Sequence, residues 1–183
     1  QDVRGITMRI NISSLSPSAF EKAIKQIQDY KNSLSGKCEE FVEQLAMIGL
    51  ESANTYASQS PVGSTVSFQI KNYNFSDTAI AILIGTGAEI QTGNYPAANT
   101  LLMIEFGSGI LLNSQNNPFA EQFGMGVGTF PGQTHAFDPT GWYYPDNTGV
   151  WHHTNGIQAT MPMYHADTDM ITSIEKVARQ VFK

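Results

Sequence analysis

The sequence predicts an α+β fold: a mostly antiparallel sheet packed against two N-terminal helices and one C-terminal helix, with a long aromatic, Gly-rich loop. Three observations carry this. Apolar residues recur at helical spacing before residue 60 and after residue 162. Between them the period drops to two, the signature of strands. Residues 107–141 keep neither period and are rich in Gly, Pro and aromatic side chains. With 183 residues the chain fits one domain large enough to bury a core without disulfide staples.

In chain order, residues 1–7 read as an N-terminal arm or a non-native remnant, and 8–183 as a single domain. "MRINIS" alternates Met8, Ile10 and Ile12 and reads as a short strand. The first helix opens at Ser16 or Ser18. Pro17 suits its first turn, and Ser18 with Glu21 has capping-box spacing. Its stripe is Phe20, Ala23, Ile24, Ile27, Tyr30 and Leu34, and Ser33–Gly36 is expected to interrupt it. A second helix, 37–58, carries Cys38, Phe41, Val42, Leu45, Ile48, Gly49, Ala53 and Tyr56. Gly49 in that stripe implies close approach of another backbone. Pro61 and Gly63 end the segment.

"STVSFQI" and "TAIAILIG" then form a hairpin across a turn at "KNYN", with Ile80, Ile82 and Ile84 on one side. "AEIQTGNYPAAN" reads as a loop and "TLLMIEF" as a third strand. Residues 107–141 form the extended loop, a length that is uncommon in a compact domain unless the segment is functional. "GWYY", the turn "PDNTG" and "VWHH" make an aromatic hairpin. The last helix has Met163, Ala166, Met170, Ile174, Val177 and Val181 as its stripe, with Glu175 and Arg179 paired at i,i+4.

Composition narrows the function. The net charge is −6 and Lys and Arg do not cluster, which argues against nucleic-acid specificity. No apolar run is long enough to span a membrane, and "QDVRGITMRI" lacks the apolar region of a secretory signal. Cys38, the single cysteine, makes no intrachain disulfide.

No catalytic, cofactor or metal site is expected. His135, His152, His153 and His165, with Asp138 and Asp167, match no ligand signature. His152 and His153 are neighbours on a strand and point to opposite faces. "GTGAEI" and "GMGVG" lack the lysine and strand–loop–helix setting of a phosphate loop. The enzyme reading with most behind it pairs Glu105 with Asp138 or Asp146 in a glycan cleft walled by Trp142, Tyr143, Tyr144 and Trp151.

The bland reading of Glu105 is an anchor. With Gly107 and Gly109 it ties down the start of the loop, accepting hydrogen bonds from N–H groups of the Gly turn or pairing with a basic residue. Phe119, Phe123, Phe130, Phe137, Trp142, Tyr143, Tyr144 and Trp151 are the assembly or interface candidates, since aromatic side chains are enriched at contacts. The aromatic hairpin has a plainer alternative, a satellite cluster packed against the last helix.

"LLMIEFGSGI" resembles the Phe-Ile-Glu-Phe-Gly-Thr-Gly signature of tail-completion and head–tail joining proteins of long-tailed phages, the gene-product-ten-like family of the Hong Kong 97 type. "FVEQLAMIGLESANTYA" resembles that family's long Ala-Gly helix. "GWYY…W…TNGIQATMPMYHA" resembles its Trp-Tyr block and Gly-Ile-x-Ala segment, and "IEKVARQVF" its C-terminal helix. The resemblance spans about residues 8–183, and residues 110–140 depart from it as an insertion. It implies a non-enzymatic virion protein of a phage or prophage, located at the neck or upper tail and in host cytoplasm during assembly. Its partners would be further copies of itself in a hexameric ring, together with connector or head-closure, tail-terminator and tail-tube proteins. The alternative remains a cell-wall glycan hydrolase or carbohydrate-binding module using Glu105, Trp142 and Trp151.

Overall fold

In a computed structural model the described residues are 10, 16–75, 78–90, 98–109, 118–119, 122, 138–145 and 148–183, with backbone only at 74, 75, 98, 142, 144 and 145. The fold is α+β: three helices with small antiparallel sheets packed against them. Apart from Ile10, which is in no strand, the residues of "MRINIS" and most of those of the expected 107–141 loop lie outside the described residues.

Helix α1 spans Pro17–Ala57. The Ser16 side chain caps it, accepting from the Ala19 N–H at 3.3 Å, and Pro17 occupies the first turn. The two expected helices are therefore one. At 1.5 Å per residue its 41 residues reach about 60 Å. The break at Ser33–Gly36 does not occur because the stripes on either side are in phase. Leu34, Cys38, Phe41 and Leu45 continue the face of Phe20, Ile24 and Ile27. Gly36 costs about 1 kcal/mol against Ala, and nothing packs at its Cα to demand a turn. The helix ends before Pro61. Gly63 follows because a Cβ there would collide with the Ala57 carbonyl.

Strands β1 (Val66–Phe75) and β2 (Thr78–Gly87) pair antiparallel, with Val66 opposite Gly87 and Asn74 opposite Ala79. "KNYN" is therefore strand and not turn, and the pairing runs on to Phe75 opposite Thr78. Val66, Phe68 and Ile70 share the half-buried face with Ala79, Ala81 and Leu83. Ile80, Ile82 and Ile84 do point one way, but Ile80 and Ile82 are exposed. Small residues turn inward instead. Gly85, for example, fits against Leu101, Met163 and Phe68, where a Cβ would come within 2.9 Å of Leu101 Cδ2.

Strands β3 (Glu89–Ile90) and β4 (Ala98–Asn99) form a short pairing inside the expected loop. "TLLMIEF" is then not a strand but helix α2, Thr100–Phe106. Asn99 decides this: its Oδ1 accepts from the N–H groups of Leu101 at 2.9 Å and Leu102 at 3.4 Å. A short apolar run is ambiguous by periodicity, and here capping settles it. Thr100, Ile104 and Phe106 are buried at the centre of the fold.

Strands β5 (Trp142–Pro145) and β6 (Trp151–Thr154) pair as the expected aromatic hairpin. Helix α3 (Pro162–Val181) closes the chain. It runs antiparallel along the second half of α1. Tyr56 stacks on His165 with centroids 3.7 Å apart, Gly49 meets Met170, Phe41 tilts against Phe182 at 5.7 Å, and Lys37 Nζ donates to the Lys183 carbonyl at 3.0 Å. The exposed Arg179–Glu175 pair forms at 2.6 Å, a contact worth only a few tenths of a kcal/mol.

What approaches Gly49 is the Met170 side chain, not a backbone; an added Cβ would sit 2.7 Å from Met170 Sδ. Thioether ends are adaptable. Gly49→Ala is expected to leave stability within about 1 kcal/mol of wild type, the gain in helix propensity offsetting the repacking. Urea unfolding checks this; a loss beyond about 2 kcal/mol means that Met170 has no room to move.

Candidate functional site

The segment after α2 meets the segment before α3. Phe106 ends α2, and Gly107, at φ 80°, donates its N–H to the Met103 carbonyl at 2.8 Å. Ser108 then pairs with Ile157 in both directions. Its N–H donates to the Ile157 carbonyl at 2.8 Å, and its Oγ accepts from the Ile157 N–H at 3.0 Å. The Ile104 carbonyl accepts from Thr160 at 2.8 Å and Met161 at 3.0 Å. Opposite Ser108 the chain must carry no side chain: Gly156 has φ 106°, and a Cβ there would strike the Ser108 carbonyl.

Glu105 fastens this clasp. Helix α3 begins after Met161, which sits in the left-handed region at φ 51° and offers no side-chain cap. The first N–H groups of a helix need acceptors. Glu105 supplies them from 58 residues away, Oε2 accepting from Met163 at 2.8 Å and Oε1 from Tyr164 at 3.0 Å. A carboxylate at a helix N-terminus also meets the favourable end of the helix dipole. Glu105 is 6 % exposed. Gly107 and Ser108 of the Gly turn send their own N–H groups elsewhere, to the carbonyls of Met103 and Ile157.

This partner was readable in part. "TMPMYHA" begins a helix with no Ser, Thr, Asp or Asn at the capping position. Such a start needs an acceptor from elsewhere, but the sequence does not say which one.

The other candidates are scattered. Gly107 and Gly109 are buried beside Glu105, Gly109 at φ 65°. Tyr143 and Trp151 are 66 % and 67 % exposed, so they are not packed on α3 as a satellite cluster. Tyr143 meets the His153 ring edge-on at 4.9 Å, and His153 Nε2 lies 2.7 Å from the Thr140 carbonyl. Phe119 is exposed. Trp142 and Tyr144 contribute backbone to β5. Phe123, Phe130 and Phe137 lie outside the described residues.

A cavity of about 320 Å³ opens between the end of α1 and the start of α3, lined among others by Tyr56, Ser60, Thr160, Met161 and His165. Glu105 and Trp151 are not on its wall. Among the described residues no His, Cys, Asp and Glu group has the arrangement to hold a metal ion, and no helix is long and apolar enough to cross a membrane.

Set against known proteins, the chain matches no family model, no curated protein and no solved structure.

Proposed function

We propose that this protein is a structural virion component of a tailed phage or prophage, acting at the head–tail neck in tail completion and head–tail joining as a ring between connector and tail tube. One observation carries the reading. The two segments with the strongest motif resemblance, 101–110 and 155–166, are hydrogen-bonded to each other through Glu105 and Ser108. The motif carboxylate thus has an architectural task, shaping the base from which residues 110–140 depart. The exposed Tyr143, Val150 and Trp151 on and beside the aromatic hairpin offer a contact surface of the kind that assembly uses.

The glycan-hydrolase reading needs Glu105 in an open cleft as acid or nucleophile. Both of its oxygens instead accept backbone N–H groups in a buried setting, which counts against that role.

Light scattering of the purified protein across concentration, followed by negative-stain imaging, tests the proposal. Rings of the protein alone, or rings formed on adding purified connector or tail-tube protein, are expected. A monomer that ignores both and binds peptidoglycan instead would overturn the reading in favour of a wall-directed protein.

A further inference from the structure

Helix α3 covers only the second half of α1, ending where Phe182 meets Phe41 and Lys183 meets Lys37. The apolar face of α1 nevertheless runs on towards its N-terminus. Ala23, on the flank of that face, is buried. Phe20, Ile24 and Ile27 are 45 %, 61 % and 51 % exposed. Amphipathic stripes of this kind are built to be covered.

The outer side of α3 carries a second uncovered stripe. Ile171 is 58 % and Ile174 46 % exposed, with Asp167 one turn before them and Ala178 one turn after. The two stripes have identical spacing. Phe20, Ile24, Ile27 and Lys31 stand at i, i+4, i+7 and i+11, and so do Asp167, Ile171, Ile174 and Ala178. Laid antiparallel, they match position by position. Phe20 falls on Ala178, large against small. Ile24 falls on Ile174 and Ile27 on Ile171. Lys31 falls on Asp167, opposite in charge. Within the chain α1 and α3 already pack antiparallel, so the same helix pairing is repeated with a different stripe. Residues 17–37 hold four lysines against two acids in a chain of net charge −6, which favours approach to the rest of another copy.

We propose that the N-terminal half of α1 docks antiparallel on the outer face of α3 of a second copy of this chain, in the register that sets Ile24 against Ile174 and Ile27 against Ile171. The inference rests on the self-assembling role proposed above and names its contact. Each subunit offers one stripe and receives on the other, so head-to-tail repetition can close into a ring.

The test is made on the full chain. Ile24→Glu with Ile27→Glu changes two exposed positions, so the far-UV circular dichroism and melting temperature are expected to stay near wild type. The concentration at which the assembly dissociates, read by sedimentation, is expected to rise at least a hundredfold. For register, a Cys38→Ser chain carrying Ile24→Cys is mixed with one carrying Ile174→Cys. Oxidation is expected to give mixed disulfide dimers in excess over either homodimer. Wild-type assemblies that persist unchanged in the double glutamate variant, or mixtures with no excess of mixed dimer, overturn this contact while leaving the joining role standing. A wild-type chain that is monomeric at every concentration, alone and with connector and tail-tube proteins, overturns both.

Discussion

Replacing Glu105 by alanine is expected to destabilise the fold by about 3 kcal/mol. Two charge-assisted hydrogen bonds disappear, each with a net worth of roughly 1.5–3 kcal/mol. The N–H groups of Met163 and Tyr164 then start a helix whose own capping residue, Met161, has no side chain that can accept from them. Part of the loss is recovered if water enters the gap. For a chain of this length the change corresponds to a fall in melting temperature of about 10 °C. Glu105→Gln keeps one acceptor oxygen but turns an NH₂ group towards the second N–H, so about half of the loss is expected. Thermal unfolding of the three proteins side by side checks the order. If Glu105→Ala melts with wild type, the carboxylate is not what holds α3 in place. If it remains folded and assembles normally, the architectural role proposed for the motif fails as well.

Gly156→Ala is expected to be at least as damaging. The backbone at φ 106° is one that L side chains rarely adopt, costing about 1–3 kcal/mol. The added Cβ would also meet a backbone atom, the Ser108 carbonyl, which cannot swing aside as a side chain can. Relief requires separating Ser108 from Ile157, which breaks the pair of hydrogen bonds between them. A loss of about 4 kcal/mol or more is expected, a large share of the 5–15 kcal/mol that a domain commonly has. Gly149 is the control. It has φ 84°, yet nothing lies within 4 Å of its Cβ position. Gly149→Ala carries the conformational cost alone, about 1 kcal/mol. Equal stability of the two variants in chemical denaturation would mean that the contact with Ser108 is looser than the geometry implies.

The comparison of these sites shows how far local sequence reaches. Long periodic stretches declare themselves. The helical stretches Pro17–Ala57 and Pro162–Val181 and the alternation in Val66–Ile70 are written in spacing, because helix and strand geometry fix which residues share a face, but Phe20, Ile24, Ile27 and Ile174 of the expected stripes are exposed. The Ser16–Pro17 start of α1 and the antiparallel pairing of the two hairpins were legible too, although the turn expected at "KNYN" is strand.

Where the outcome depended on distant partners, the local signal was silent or misleading. Gly36 resembled a helix break, but helices are cooperative and the apolar face was in phase on both sides. "TLLMIEF" resembled a strand, but Asn99 caps it as a helix buried among other elements. Ile80 and Ile82 resembled core, yet they lie on the exposed face of the hairpin, and on the other face Leu101 and Met163 come too close to Gly85 for a larger residue there. The sequence by itself determined the class of fold, the long helices and the presence of a carboxylate at the edge of a Gly turn. Only the tertiary structure decided that this carboxylate caps α3, because its two donors lie 58 and 59 residues along the chain and are brought to it by packing, not by spacing.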